Sequence, residues 1–146
     1  MYNVLIVDDE TIILSGIKFL IDWEKNDCMI ADTARNGQDA LEKIRLCPPD
    51  IVLCDIGMPV MNGIELLKKV NQEFPSIVFL MLTNLQEFQL AKDALTYRAA
   101  DYLLKNQLDC AALEKSLEKA KKEYDRRTNY AQADRLRSFV LHQCIL

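Results

Sequence analysis

Five times along the chain a short apolar run rich in β-formers gives way to a longer stretch of helical periodicity, and that alternation restricts it to an α/β fold. The runs are Val4-Leu5-Ile6-Val7, Met29-Ile30-Ala31, Ile51-Val52-Leu53-Cys54, Ile77-Val78-Phe79-Leu80-Met81-Leu82 and Tyr102-Leu103-Leu104. The first, third and fourth are continuous rather than alternating, as expected of strands covered on both faces. Apolar stripes at helical spacing lie between them: Ile13, Ile17, Leu20 and Ile21; Ala40, Leu41 and Ile44; Ile64, Leu67 and Val70; Phe88, Ala91 and Leu95. Asn36-Gly37, Pro48-Pro49, Asn62-Gly63 and Pro75-Ser76 punctuate the elements. Five strands, each followed by a helix, predict a parallel sheet with right-handed crossovers and helices on both faces.

After residue 108 the pattern becomes one long polar helix. Cys110, Leu113, Leu117, Ala120 and Tyr124 follow a heptad seam that fails at Arg127, and Leu136, Phe139, Val140 and Leu141 form a separate apolar cluster. The first part is expected to pack on the sheet as a fifth helix; self-association through this seam is the alternative. The division expected is a folded domain over 1–124 and a helical extension over 125–146, leading toward an output domain that the chain lacks.

Charge separates along the same boundary. Residues 1–109 carry 17 acidic and 10 basic side chains, a balance of −7, whereas residues 110–146 carry 5 and 8, a balance of +3. An acidic first part argues against direct binding of nucleic acid there. The basic tail alternates in sign, as on a solvated helix. No apolar run approaches the ~20 residues of a membrane helix, and Asp8-Asp9-Glu10 interrupts the start too early for a signal peptide. A cytoplasmic location without membrane contact is expected. Cys28, Cys47, Cys54, Cys110 and Cys144 form no CxxC pair and are expected to be reduced; the lone His142 is expected to have a surface or packing role.

In open α/β sheets, ligands bind beyond the carboxyl ends of the strands. The first run is followed by Asp8, Asp9 and Glu10, the third by Asp55, the fourth by Thr83 and the fifth by Lys105. Singly, each has a bland explanation: Asp9 or Glu10 as a cap of the first helix, Thr83 as a cap near Gln86, Lys105 as a solvated strand end. Jointly they form a site. Carboxylates brought together repel unless a cation lies among them, and a hard divalent ion such as Mg²⁺ suits oxygen ligands. A carboxylate beside Mg²⁺ is able to attack phosphorus, with an ammonium and a hydroxyl to receive the phosphoryl oxygens.

Val4-Leu5-Ile6-Val7-Asp8-Asp9-Glu10, the segment from Asp50 through Asp55-Ile56-Gly57-Met58-Pro59 to Gly63, Leu82-Thr83, and Asp101-Tyr102-Leu103-Leu104-Lys105 together resemble the receiver domains of bacterial two-component response regulators, in order, over residues 3 to about 120. Ile21-Asp22-Trp23-Glu24 and Phe88-Gln89-Leu90-Ala91-Lys92 resemble the subgroup with an AraC-type output. The resemblance implies the flavodoxin-like (βα)5 doubly wound sheet of order 2-1-3-4-5, a fold for which a member of this family is itself a standard example. It implies Asp55 as the residue phosphorylated by a sensor histidine kinase. Asp8, Asp9, Asp55 and the Gly57 carbonyl would hold Mg²⁺, Lys105 would pair the phosphate, and Thr83 and Tyr102 would form the switch. It implies no enzyme beyond slow self-dephosphorylation, and DNA binding only through an output domain.

Three positions depart from the family pattern. Asn106 replaces the proline that follows the lysine through a cis bond in the family; a cis bond before a non-proline costs about 2.5–4 kcal/mol, which leaves the isomer here open. Asn84 replaces a small residue after Thr83, where it would crowd or bond a phosphate, and Asn62 replaces an aspartate before Gly63. The expected mechanism is a two-state switch: Thr83 and Lys105 are drawn to the phosphoryl group, Tyr102 turns inward, and the surface of the fourth helix, fifth strand and fifth helix changes for a partner or second copy. Against it stand a non-phosphorylated receiver serving as a dimerisation scaffold, a phosphohydrolase with an aspartyl nucleophile on the first strand, and a flavodoxin-like cofactor binder. The last is opposed by Asp8-Asp9-Glu10, which repels phosphate.

Overall fold

The structure, a computed structural model, describes residues 1–87, 89, 92 and 96–145, with the backbone alone at 85, 131, 133–135 and 137–145. Five parallel strands, β1 (Tyr2–Val7), β2 (Cys28–Ala34), β3 (Ile51–Asp55), β4 (Val78–Thr83) and β5 (Asp101–Leu104), lie in the order β2-β1-β3-β4-β5. This is the doubly wound order expected. Helices α1 (Thr11–Leu20), α2 (Gly37–Leu46) and α3 (Gly63–Glu73) and a C-terminal helix (Cys110–Ile145) complete it. The fourth expected helix, built on Phe88, Ala91 and Leu95, lies outside the described residues, as do the side chains of Phe139, Val140, Leu141, His142 and Cys144.

The continuous apolar runs sort by the two-residue period of a strand into two cores. Leu5, Val7, Val52, Cys54, Phe79 and Met81 face Ala40, Leu41, Ile44, Leu66, Leu67 and Val70 from α2 and α3. Val4, Ile6, Ile51, Leu53, Val78, Leu80 and Leu82 face Leu14, Ile17, Trp23, Leu113, Leu117 and Ala120. On α1 the innermost residues are Leu14 and Ile17; Ile13, Leu20 and Ile21 pack only at the margin, one position round the helix from the expected stripe. The asparagines before Gly37 and Gly63 serve as N-caps. Asn36 Oδ1 accepts from the Asp39 amide at 2.8 Å, and Asn62 Oδ1 from the Glu65 amide at 2.9 Å.

The C-terminal helix is unbroken for 36 residues, about 54 Å at ~1.5 Å per residue. Its seam residues Leu113, Leu117 and Ala120 are fully buried against the sheet, so this stripe is not offered to a second chain. The seam does not end at Arg127 but continues through it. That guanidinium is buried and donates to the carbonyls of Ile77 (2.8 Å), Arg98 (2.8 Å) and Pro75 (3.4 Å), with its Nε on Glu123 at 2.8 Å. Tyr130 and Leu136, further along, are exposed. Cys28, Cys47, Cys54 and Cys110 are free thiols. Among the described residues no helix is long and apolar enough to cross a membrane.

Candidate functional site

Parallel pairing brings the carboxyl ends of β1, β3, β4 and β5 to one rim. Val7 pairs with Cys54, Asp55 with Leu82 and Thr83 with Leu104, so the residues that follow these strands emerge side by side. Lys105 Nζ lies 3.0 Å from Asp8 Oδ2, 3.2 Å from Asp55 Oδ1 and 3.7 Å from Glu10 Oε1. Residues spread over nearly a hundred positions thus converge on one ammonium group.

The local backbone explains how the loops hold these groups. Asp8 Oδ1 accepts from the Glu10 amide at 2.9 Å, which closes the β1–α1 turn, while Glu10, at the N-cap position of α1, makes no side-chain cap hydrogen bond. With no cap hydrogen bond made by a side chain, the Glu10 carboxylate stays open to a cation. Asp8, Asp9 and Glu10 each offer a carboxylate oxygen within 4.8 Å of the others. The β3–α3 loop returns sharply enough that Gly63 N donates to Ile56 O at 2.9 Å, and a Cβ at Gly63 would meet the Asp55 carbonyl oxygen. Glycine is required there for space rather than for an unusual backbone angle. Gly57 N–H points back to Asp55 Oδ1 at 3.3 Å.

Burial sets the electrostatics. Asp8 is fully buried and Asp55 is 3% exposed. Burial first, and the neighbouring Asp8 charge second, push the Asp55 carboxyl up to about 6, against the pull of Lys105. Burial likewise raises Asp8. Burial works against the Lys105 ammonium as well, but its ion pair with Asp8 and the charge of Asp55 outweigh it and raise its pKa. Asp8 Oδ2 receives no well-aligned hydrogen bond, the ammonium at 3.0 Å being a charge contact only. A buried carboxylate oxygen left without an aligned donor, among two further acidic groups, fits a hard divalent cation with oxygen ligands. Receiver domains bind Mg²⁺ at such an acidic pocket.

Thr83 is buried at the end of β4, its hydroxyl donating to the Asn84 carbonyl at 3.0 Å. Asn84 does not reach into the site. It is exposed, and its Oδ1 accepts from the Glu87 amide at 3.0 Å. Tyr102 pairs with Met81 and is partly buried against the α2–α3 side of the core. The Lys105–Asn106 peptide is trans. Glu10, at the strand end with Asp8 and Asp9 but given no role from sequence, lies 3.7 Å from Lys105, and Glu87, missed in the sequence, lies against Gly57. A separate open groove of about 560 Å³, away from the rim, is lined by Arg98, Lys119, Lys122, Glu123 and Arg126.

A five-stranded sheet of this order, with an acidic pair, a further buried carboxylate, a hydroxyl and a lysine at one rim, defines the receiver class of signalling module. The chain belongs to the response regulator receiver domain family, whose pattern it matches over residues 4–118. It is 38% identical over 150 residues to an uncharacterised transcriptional regulatory protein, YesN, of Bacillus subtilis, covering 98% of this chain and 41% of that protein. It is 43% identical over 106 residues to the transcriptional regulatory protein LnrK of the same organism, covering 73% and 48%. Among solved structures it resembles the receiver domain of AraT, a response regulator from Geobacillus stearothermophilus, with a TM-score of 0.80 and 32% identity over 87% of this chain and 98% of that one. The chain spans less than half the length of the curated relatives it matches.

Proposed function

We propose that Asp55 accepts a phosphoryl group from a sensor histidine kinase and that the modification switches a transcriptional output carried beyond the receiver. The observation that carries this reading is the convergence of Asp8, Asp55 and Glu10 on Lys105 Nζ. In the transfer, the nitrogen–phosphorus bond of a phosphohistidine breaks as an Asp55 Oδ–phosphorus bond forms. Mg²⁺ held by Asp8, Asp9, Asp55 and the Gly57 carbonyl would offset charge on the phosphoryl oxygens. Lys105 covers the acceptor, so its ammonium must swing from Asp55 Oδ1 to a phosphoryl oxygen, exchanging one anionic partner for another at little electrostatic loss. Thr83 leaves the Asn84 carbonyl for a phosphoryl oxygen, and Tyr102, next to it across the strand pair, takes the space vacated. Only the difference in interaction between the two arrangements drives the change.

Residues 125–146 serve in this reading as a helical connection to the output, and DNA is contacted only by that output. The relatives that carry transcriptional regulatory names extend well past the matched region, which supports the assignment. The readers of the switched surface are the kinase, the output and a second copy of the chain, within the cytoplasm. The covering of Asp55, at 3% exposure, favours the rival scaffold that is never phosphorylated. Labelling with a phosphoryl donor in Mg²⁺ separates the two: acid-stable label absent from the wild type, or retained by Asp55→Asn, defeats the proposal.

A further inference from the structure

The turn after β4 places a side chain at the acceptor loop that no part of the phosphoacceptor reading uses. Leu85–Glu87 forms a short 3-10 turn, closed by the Glu87 amide donating to both Asn84 Oδ1 (3.0 Å) and the Asn84 carbonyl (3.2 Å). So anchored, the half-buried Glu87 side chain folds back across the β3–α3 loop. Its carboxylate rests on Gly57: a Cβ built at position 57 collides with Glu87 Oε1 and lies 3.2 Å from Oε2. The carboxylate therefore fills the place that a side chain two residues after the acceptor would otherwise occupy. The same glycine turns its N–H to Asp55 Oδ1 at 3.3 Å. Among the described residues no cation pairs with Glu87; Lys105 is committed to Asp8, Asp55 and Glu10.

We infer that Glu87 is a further member of the phosphoryl site, whose carboxylate over Gly57 opposes phosphoryl occupancy of Asp55 and shortens the life of the aspartyl phosphate. The inference rests on the phosphoacceptor reading above. A phosphoryl group brings close to two negative charges and only acceptor oxygens, and a carboxylate has no proton to donate to them. Two like charges in a half-buried position destabilise one another. The one favourable contact open to Glu87 beside that group runs through a water, the co-reactant of hydrolysis. The water oxygen attacks phosphorus, the Asp55 oxygen–phosphorus bond breaks, and dihydrogen phosphate leaves with both water protons while Asp55 regains its carboxylate. Asn84 contributes by aiming Glu87 rather than by touching the phosphate.

The test uses the full chain labelled on Asp55 by a small acyl phosphate in Mg²⁺, freed of donor, with loss of label followed in time. Glu87→Gln and Glu87→Ala are expected to lengthen the half-life about fivefold or more, the size expected of removing one like charge from a partly buried site. Gly57→Ala, whose new methyl group evicts the carboxylate, should act in the same direction, and the double variant Gly57→Ala/Glu87→Ala should add little, because both remove one contact. Half-lives of both Glu87 variants within about twofold of wild type, or full additivity in the double variant, would overturn the inference while leaving the acceptor assignment intact. Calorimetric Mg²⁺ affinity is expected to be unchanged in Glu87→Gln; a loss of about tenfold would make Glu87 a metal ligand and overturn it as well. Failure of every protein to take up label would remove the acceptor assignment and this inference together.

Discussion

Replacing Asp55 with asparagine should make the fold more stable, although it removes an ion-pair partner. The carboxyl stands at about 6 in the folded chain against an ordinary 3.8, so the folded state holds its proton more tightly than the unfolded state does. The charged carboxylate consequently costs stability, fully at pH values above 6, and the cost fades as pH falls from about 6 toward 4. Two units at 1.36 kcal/mol each make this about 3 kcal/mol at neutral pH. Asparagine keeps an oxygen for the Gly57 N–H and carries no charge, and the attraction of Lys105 for the carboxylate is already contained in the raised value. The gain is therefore about 3 kcal/mol, or about 10 °C in Tm for 146 residues at ~2.1 cal/mol/K per residue. Urea unfolding followed by circular dichroism, in chelator and across pH 4.5 to 7.5, measures it. The variant should exceed wild type at neutral pH, the gap should close toward pH 4.5, and excess Mg²⁺ should close it at neutral pH by stabilising wild type alone. A variant no more stable than wild type at neutral pH, or a gap that ignores pH, would refute the claim that Asp55 is an undercompensated buried charge.

Other perturbations test the scaffold around the site. Arg127→Met should cost about 2–4 kcal/mol in chemical denaturation, because the carbonyls of Ile77, Arg98 and Pro75 lose their shared donor. Arg127→Lys should recover little of it, since one ammonium cannot span three carbonyls. Gly63→Ala should lower stability by about 1–3 kcal/mol and weaken Mg²⁺ binding in calorimetry, as the methyl group must displace the Asp55 backbone. Glu123 is held down to about 2 by its bonds to Arg126 and Arg127, against an ordinary 4.5. Its lowered value gives stability that is present above 4.5 and lost as pH falls from there to about 2, so Glu123→Gln should flatten the urea midpoint over that interval.

Fold and site were legible for different reasons. Strand runs such as Ile51–Cys54 and Ile77–Leu82 are apolar on both faces, which only a sandwiched parallel sheet tolerates, and the polar residues just beyond them had to meet at one rim. Periodicity is blunter on helices: adjacent positions share a face, so α1 buries Leu14 where Ile13 was expected. Arg127 sits on the heptad spacing of Leu113, Leu117, Ala120 and Tyr124, yet a charge at that spacing read as the end of the seam, because its value comes from carbonyls remote in sequence. Glu87 was hidden for a similar reason, as nothing local to it signals Gly57. What the strand ends cannot convey is the state in which they meet. Lys105 bridges Asp8 and Asp55, so the lysine that in the proposed transfer pairs the phosphoryl group first neutralises Asp55, the carboxylate proposed to receive it. Its two tasks require one side chain to move by the width of an ion pair, and that motion, rather than the residue set, separates a receiver that takes a phosphoryl group from a scaffold with the same residues.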